Sequence, residues 1–365
     1  MSATSASAVA VLRAAPDPRL AAALRALAGT VGALALAALL FGAFLVAAGH
    51  DPLAVYALLW KGAFGSAFAW QNTLLRAAPL MLTALCVVLP ARAGLIVIGG
   101  EGAVLMGGLA AAALGVHLGG LGGMALLPMA LAGALAGGVW IGLVGLLRER
   151  RGVNEAIGSL LLAYIAAALF KHLVEGPLRD PASLNKPSTP ALPDAARLGE
   201  LAGSGVHAGL VIGVLACVLA HLLIHHTPWG FGLKVAGGNP RAGRMVGLPV
   251  GRLAIAACGL GGAAAGLAGM IEVAAVHGAA NSALAAGYGY AGILVAFVAR
   301  QQPLAILPTA LLVGGVAASG GLLQRRLGLP DATVNVLQGF LFLSILVAEP
   351  LFQAVAQRIR RRRPR

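Results

Sequence analysis

A chain of 365 residues that is 59% hydrophobic and 10% charged, with 52 glycines and a mean hydropathy of +0.89, is not a water-soluble domain; it is built to dissolve mainly in lipid. Its net charge of +14 and pI of about 11.1 would suggest a nucleic-acid partner in a soluble protein. The basic residues sit instead between apolar stretches and at the ends, so membrane topology accounts for them and nucleic acid is excluded as a partner.

At about 20 residues per crossing, about ten spans are predicted, giving an all-α fold, a polytopic membrane helix bundle. Residues 1–26 read as a cytoplasmic N-terminal segment without a small-residue cleavage site, so the first span, Leu27 to Ala48, is expected to stay as an anchor. The stretch Asp51 to Ala69, with Trp60, Phe64, Phe68 and nearby Trp70, predicts an interfacial helix at headgroup level. Spans follow at Thr73 to Leu89, Leu95 to Val116, Met124 to Leu147 and Ala156 to Val174. The outer loop 176–205 is rich in proline and is not expected to form a domain; it offers a contact surface outside the membrane. A sixth span, Val206 to Ile224, leads into a basic loop over 227–250. The last spans are read at Leu253 to Val276, Leu284 to Ala299, Leu304 to Leu323 and Val334 to Ala348, the second, eighth and tenth of the series being short. The membrane domain thus covers 27–351, and 352–365 form a basic cytoplasmic tail suited to fixing orientation and meeting anionic lipid headgroups. With both termini cytoplasmic, most of the 26 Lys and Arg fall on the inner side, Arg325 and Arg326 running against the trend.

In lipid, helices associate where small residues let backbones approach. The runs Gly107 to Gly115, Gly133 to Gly145 and Gly259 to Gly269 therefore predict close helix–helix faces.

The basic loop carries the most informative local pattern, TPWGFGLKVAGGNPRAGRMVGL over 227–248. Asn239 can cap a helix and Pro240 suits its first position. Ala242, Met245 and Val246 recur at helical spacing while Arg241 and Arg244 take another side, a small amphipathic rod. Gly237 and Gly238 let the chain turn into it, and Gly247 with Pro249 ends it. Two readings stay open from these residues: a handle driven by a soluble motor, or an ordinary cytoplasmic loop whose arginines obey topology.

Chemistry is scarce. The four lysines Lys61, Lys171, Lys186 and Lys234 are followed by Gly, His, Pro and Val, so no GxxxxGK[ST] phosphate loop exists and the chain has no such ATP site. HExxH and GxSxG are absent, His225 and His226 read as interfacial, and Cys86, Cys217 and Cys258 as small core residues. Glu101, in the sequence Ile98-Gly-Gly-Glu-Gly102, lies deep in its span, where Gly99 and Gly100 predict a locally broken helix. It either lines a pathway or holds the break by accepting backbone N–H bonds. Glu272 sits near the outer end of its span, and Asn154 with Glu155 marks a helix start. With 12 acidic residues in all, a carboxylate-dense ion site is poorly supplied, and energy is expected from elsewhere.

The stretches Arg92-Ala-Gly-Leu-Ile-Val-Ile-Gly-Gly-Glu-Gly102, Gly152-Val-Asn-Glu-Ala-Ile157, Thr227-Pro-Trp-Gly230 and Gly237-Gly-Asn-Pro-Arg-Ala242 resemble the permease subunits of bacterial ABC importers in the ribose and branched-chain amino-acid permease superfamily, nearest the nucleoside branch. The likeness runs in order from about Leu27 to Leu351. The family pattern RAGxFNIGxEGQ is altered here: Leu95, Ile96 and Val97 lead to Ile98-Gly99, and Ala103 stands at the usual Gln, removing two polar groups.

The resemblance implies a non-enzymatic transport subunit of the bacterial inner membrane, importing a nucleoside or similar small polar solute. It binds no cofactor directly; ATP is used by a partner ABC ATPase. Further implied partners are a second permease subunit, identical or unequal, an extracytoplasmic solute-binding protein and membrane lipid. The resemblance places coupling on Gly237, Gly238, Asn239, Pro240, Arg241 and Arg244, and pathway lining on Gly99, Gly100, Glu101 and Asn281. The rival is an ion-coupled secondary transporter using Glu101 and Glu272.

Overall fold

The computed structural model describes residues 18–201 and 203–361, with side-chain environments for 29–347 apart from residue 202. The expected N-terminal segment through residue 17 and the last residues of the basic tail, 362–365, lie outside the described residues. Thirteen α-helices follow in order: α1 Pro18–Ala47, α2 Pro52–Phe64, α3 Ala67–Arg92, α4 Gly100–Leu118, α5 Leu126–Arg151, α6 Glu155–Glu175, α7 Gly209–His226, α8 Pro228–Gly238, α9 Pro240–Met245, α10 Val250–Ile271, α11 Tyr288–Val298, α12 Ile306–Leu327 and α13 Ala332–Arg361. Among the described residues there is no β-strand, only the isolated bridges Ser188 to Asn281 and Glu200 to His207.

Among the described residues, seven stretches are long and apolar enough to cross a membrane: Gly29–Ala47, Ala67–Arg92, Gly100–Arg151, Glu155–Glu175, Gly209–His226, Val250–His277 and Ile306–Leu327. The 52-residue stretch doubles back at Gly122 (φ 58°, ψ −136°), so α4 and α5 pack side by side. Pro52–Phe64, Ser282–Val298 and Ala332–Val347 are apolar but shorter. The expected second span was too short: α3 has 26 residues and carries Pro79 and Pro90 within it.

α3 is the axis of the bundle. It packs against α7, α10, α11 and α12, and every side from Ala77 to Pro90 is buried, which is why its sequence is apolar all round. Beside it, α4, α5 and α10 meet through the glycine faces the sequence predicts. A Cβ added at Gly266 would strike the Gly133 carbonyl, at Gly107 the backbone of Gly266, and at Gly262 the Gly137 carbonyl. Backbones in van der Waals contact supply the dispersion that replaces the hydrophobic effect in lipid.

The 176–205 loop is more ordered than its proline content suggests. It is tied across the 274–281 segment by Thr189 N–H to Ala280 O (3.0 Å), Leu192 N–H to Gly278 O (2.7 Å) and Leu198 N–H to Ala274 O (3.0 Å). The Thr189 hydroxyl accepts the Ala280 N–H (3.0 Å). Leu192 and Ala196 are buried beneath it, so the loop is a strap laid on the bundle.

Candidate functional site

A cavity of about 610 Å³ opens between α3, α11, α12 and α13. Its polar lining is Arg76, Tyr288, Tyr290, Asp331, Asn335 and Gln338, set among apolar groups such as Leu80, Leu294 and Phe342. An apolar pocket with a few convergent polar groups is the form of a small-solute site. These residues are not among those expected from the sequence, although a signal for them exists there. Asp331, Asn335 and Gln338 fall at i, i+4 and i+7, one polar stripe on an otherwise apolar helix.

Glu101 stands next to this cavity but does not line it. The helix break expected there takes a different form. After Arg92 the chain runs non-helically to Gly99, and α4 starts at Gly100, so Glu101 sits in a first helical turn. The extended piece is satisfied from α6, since the Glu155 carboxylate accepts the Ile96 N–H (3.3 Å) and the Ser159 hydroxyl accepts the Ile98 N–H (3.0 Å). Gly99 serves as a close-approach position, whereas Gly100 has room for a Cβ. A Cβ on Gly99 would collide with the Ser159 carbonyl, while Gly100 faces Gly289 and Cys86.

Both Glu101 carboxylate oxygens are engaged at the start of α11: Oε1 accepts the Gly287 N–H (2.9 Å) and Oε2 the Gly289 N–H (2.6 Å). Of the roles left open by the sequence, the geometry favours bonding backbone N–H groups, though on a distant helix rather than across its own break. Asn281 is not brought to the cavity. It starts the turn Ser282–Leu284, its side chain accepting the Ala283 N–H (2.9 Å), beneath the strap. Glu272 is buried at the end of α10 with His277 Nε2 at 3.5 Å.

At the opposite end lies α9. Asn239 caps it, its Oδ1 accepting from the Arg241 and Ala242 N–H groups (3.1 Å each), and Gly247 (φ 81°) ends it. Gly237 and Gly238 do not form the expected turn. They close α8, a helix started by the Thr227 cap (3.2 Å to the Gly230 N–H) and Pro228, and Asn239 alone, at φ −153° and ψ 98°, breaks the direction. Gly237 is held against the carbonyl of Arg92 and the backbone of Gly94.

The apolar side of α9 has no cover among the described residues. Met245 is 87% exposed and Val246 73%, while only Gly243 is buried. Arg244 reaches Glu149 at 3.9 Å; its neighbour Arg148 pairs with Glu155, the residue that also holds Ile96. Polar contacts thus run from α9 through the end of α5 and the start of α6 to the extended segment before Glu101.

A family model described as the permease component of branched-chain amino acid transport systems matches residues 69–346, which takes in α3 through the apolar part of α13. Over 334 residues the chain is 35% identical to the glucose ABC transporter permease protein TsgB13 of Haloferax volcanii, covering 88% of this chain and 87% of that protein. It is 29% identical over 318 residues to the guanosine ABC transporter permease protein NupP of Bacillus subtilis (82% and 87% covered). Against the nucleoside ABC transporter permease protein NupB of Lactococcus lactis it is 26% identical over 319 residues (84% and 87%). With that match and its several apolar helices, the chain is a multi-pass membrane protein that belongs to the permease-component family of branched-chain amino acid transport systems.

Proposed function

We propose that this chain is the transmembrane subunit of an ATP-driven importer for a nucleoside or a similarly small, hydroxyl-rich solute. The observation that carries the reading is α9, a capped helix whose Met245 and Val246 stand uncovered. A separate ATPase subunit would seat on it, since the chain has no phosphate loop of its own. In this reading Gly237, Gly238, Asn239, Pro240, Arg241 and Arg244 form the coupling site, and both termini face the cytoplasm of a bacterial cell. The chain then crosses the plasma membrane about ten times, with α4, α5, α11 and α13 each counted as one crossing. A second permease subunit and an extracytoplasmic binding protein complete the complex, with lipid around it.

The solute class is supported by the glucose, guanosine and nucleoside permeases among the relatives and by the cavity lining. Hydroxyl, amide, carboxylate and guanidinium groups at Tyr288, Tyr290, Asn335, Gln338, Asp331 and Arg76 match the donors and acceptors of a sugar ring, and the phenol faces can cover its apolar side. Nucleotide-driven closure of the motors would move α9, and the glycine-packed helices would pass that motion to the cavity.

The test is Asn239→Ala with Arg241→Ala in the assembled complex. Cap loss costs about 1 kcal/mol locally and leaves the buried bundle intact, so assembly is expected to persist while uptake and solute-stimulated ATPase activity fall by roughly tenfold. Unchanged coupling overturns the assignment. Uptake that survives ATP depletion but collapses with an ionophore replaces it with an ion-coupled carrier.

A further inference from the structure

We infer that Glu101 is a positioning residue for the cavity wall: from α4 it fixes the first turn of α11, and with it the side chains of Tyr288 and Tyr290 that face the solute. The inference rests on the cavity being the solute's path.

α11 needs such a partner. It has 11 residues, its N-cap is Gly287 at φ 82°, and no side chain of its own caps it. The leading N–H groups of a helix have no intrahelical acceptor, and a helix this short does not hold itself together. Glu101 supplies the missing acceptors from 186 and 188 residues away. The two amides it takes, Gly287 and Gly289, flank Tyr288 on both sides, so the rotation of Tyr288 about the backbone is fixed at both ends. Tyr290 follows one residue later, its N–H bonded to the Gly287 carbonyl (3.1 Å).

Three observations separate positioning from solute contact. Glu101 is buried, at 6% exposure, and absent from the lining. Both oxygens are already bonded. The approach of the two helices is permitted by a glycine, because a Cβ at Gly289 would collide with the Glu101 backbone N. Glu101 itself lies in the first turn of α4, and its carboxylate meets the N-terminal amides of α11, so the two helix starts are joined through this one side chain.

The decisive experiment compares the wild-type complex with Glu101→Gln, by amide hydrogen exchange in lipid nanodiscs and by uptake of a labelled nucleoside and of labelled glucose into sealed proteoliposomes. The glutamine keeps the shape but presents an NH₂ to one of the two N–H groups. Exchange in the peptide covering 285–292 is expected to quicken by about tenfold or more, with the α5 and α10 peptides unchanged. The apparent KM of whichever solute is carried is expected to rise several-fold, more than turnover falls. Gly289→Ala, which parts α11 from α4 while leaving the carboxylate in place, is expected to act the same way. If Glu101→Gln fails to assemble, Glu101→Asp, which keeps the charge but shortens the reach, takes its place with the same expected shifts. Unchanged exchange overturns the clasp, and faster exchange with unchanged KM overturns its role in positioning. Asn335→Ala with Gln338→Ala distinguishes the two levels. If that pair lowers uptake and Glu101→Gln does not, the cavity stands and the inference falls; if neither alters uptake, the cavity assignment itself has failed and the inference falls with it.

Discussion

Gly266→Ala is expected to unseat the bundle by about 3 kcal/mol, toward the upper end of the cost of overpacking a tight core. The added Cβ would strike the Gly133 carbonyl oxygen and lie 2.9 Å from its carbon and 3.1 Å from Gly137 Cα. All of these are backbone atoms of α5, with no rotamer to give way. Gly107 of α4 meets the same residue, the three glycines converging at one point, so α10 cannot retreat from α5 without disturbing a second contact. A denaturant titration in mixed micelles, followed by helix circular dichroism, measures the loss. Gly142→Ala is the matched control. Its Cβ would meet only Gly259 Cα at 3.8 Å, an ordinary contact, and removing a helical glycine there is expected to stabilise by about 0.5 to 1 kcal/mol. Equal effects of the two substitutions would refute the account of the glycine faces.

Glu155→Leu is expected to cost about 2 to 4 kcal/mol and to release the segment before α4. Its carboxylate is buried and has two partners, the Arg148 guanidinium and the Ile96 N–H. Leucine strands a part-buried backbone donor, worth about 1 to 3 kcal/mol, and removes the partner of an arginine that is 42% exposed and so recovers part of its hydration. The segment lies on the polar route from α9 toward Glu101, so under the proposed coupling role ATPase stimulation is expected to fall along with stability. Faster amide exchange at Ile96, with Ile98 still protected by Ser159, is the local signature. Glu155→Gln, which can still accept the Ile96 N–H, is expected to recover roughly half of the loss. A leucine variant as stable as the wild type would show that the ion pair holds nothing.

What could be read from the sequence follows from how local each feature is. The α9 helix was legible because a cap, a proline at the first position and a terminating glycine all lie within a few residues. The glycine faces of α4, α5 and α10 were legible because small residues in lipid have one main use. α8 was missed, although Thr227-Pro228 is the same cap and first-turn pairing as Asn239-Pro240. The form of the break at Glu101 was not legible, since it depends on Glu155 and Ser159 reaching across from another helix. Nor were the partners of Glu101, which lie 186 and 188 residues on. The strap formed by the 176–205 loop looked structureless because its bonds go to the 274–281 backbone, and backbone acceptors leave no trace in composition. Asn281 drew attention as a polar residue in an apolar stretch, whereas its side chain only serves its own turn.

The clasp also sets a timetable for biosynthesis. A ribosome adding about 5–20 residues per second needs roughly 10–40 s to cover the 186 residues between Glu101 and its first acceptor-seeking amide. Through that interval the nascent carboxylate has no native partner and cannot enter hydrocarbon cheaply. The pair can close only once α11 has emerged, which makes it a late step in membrane assembly.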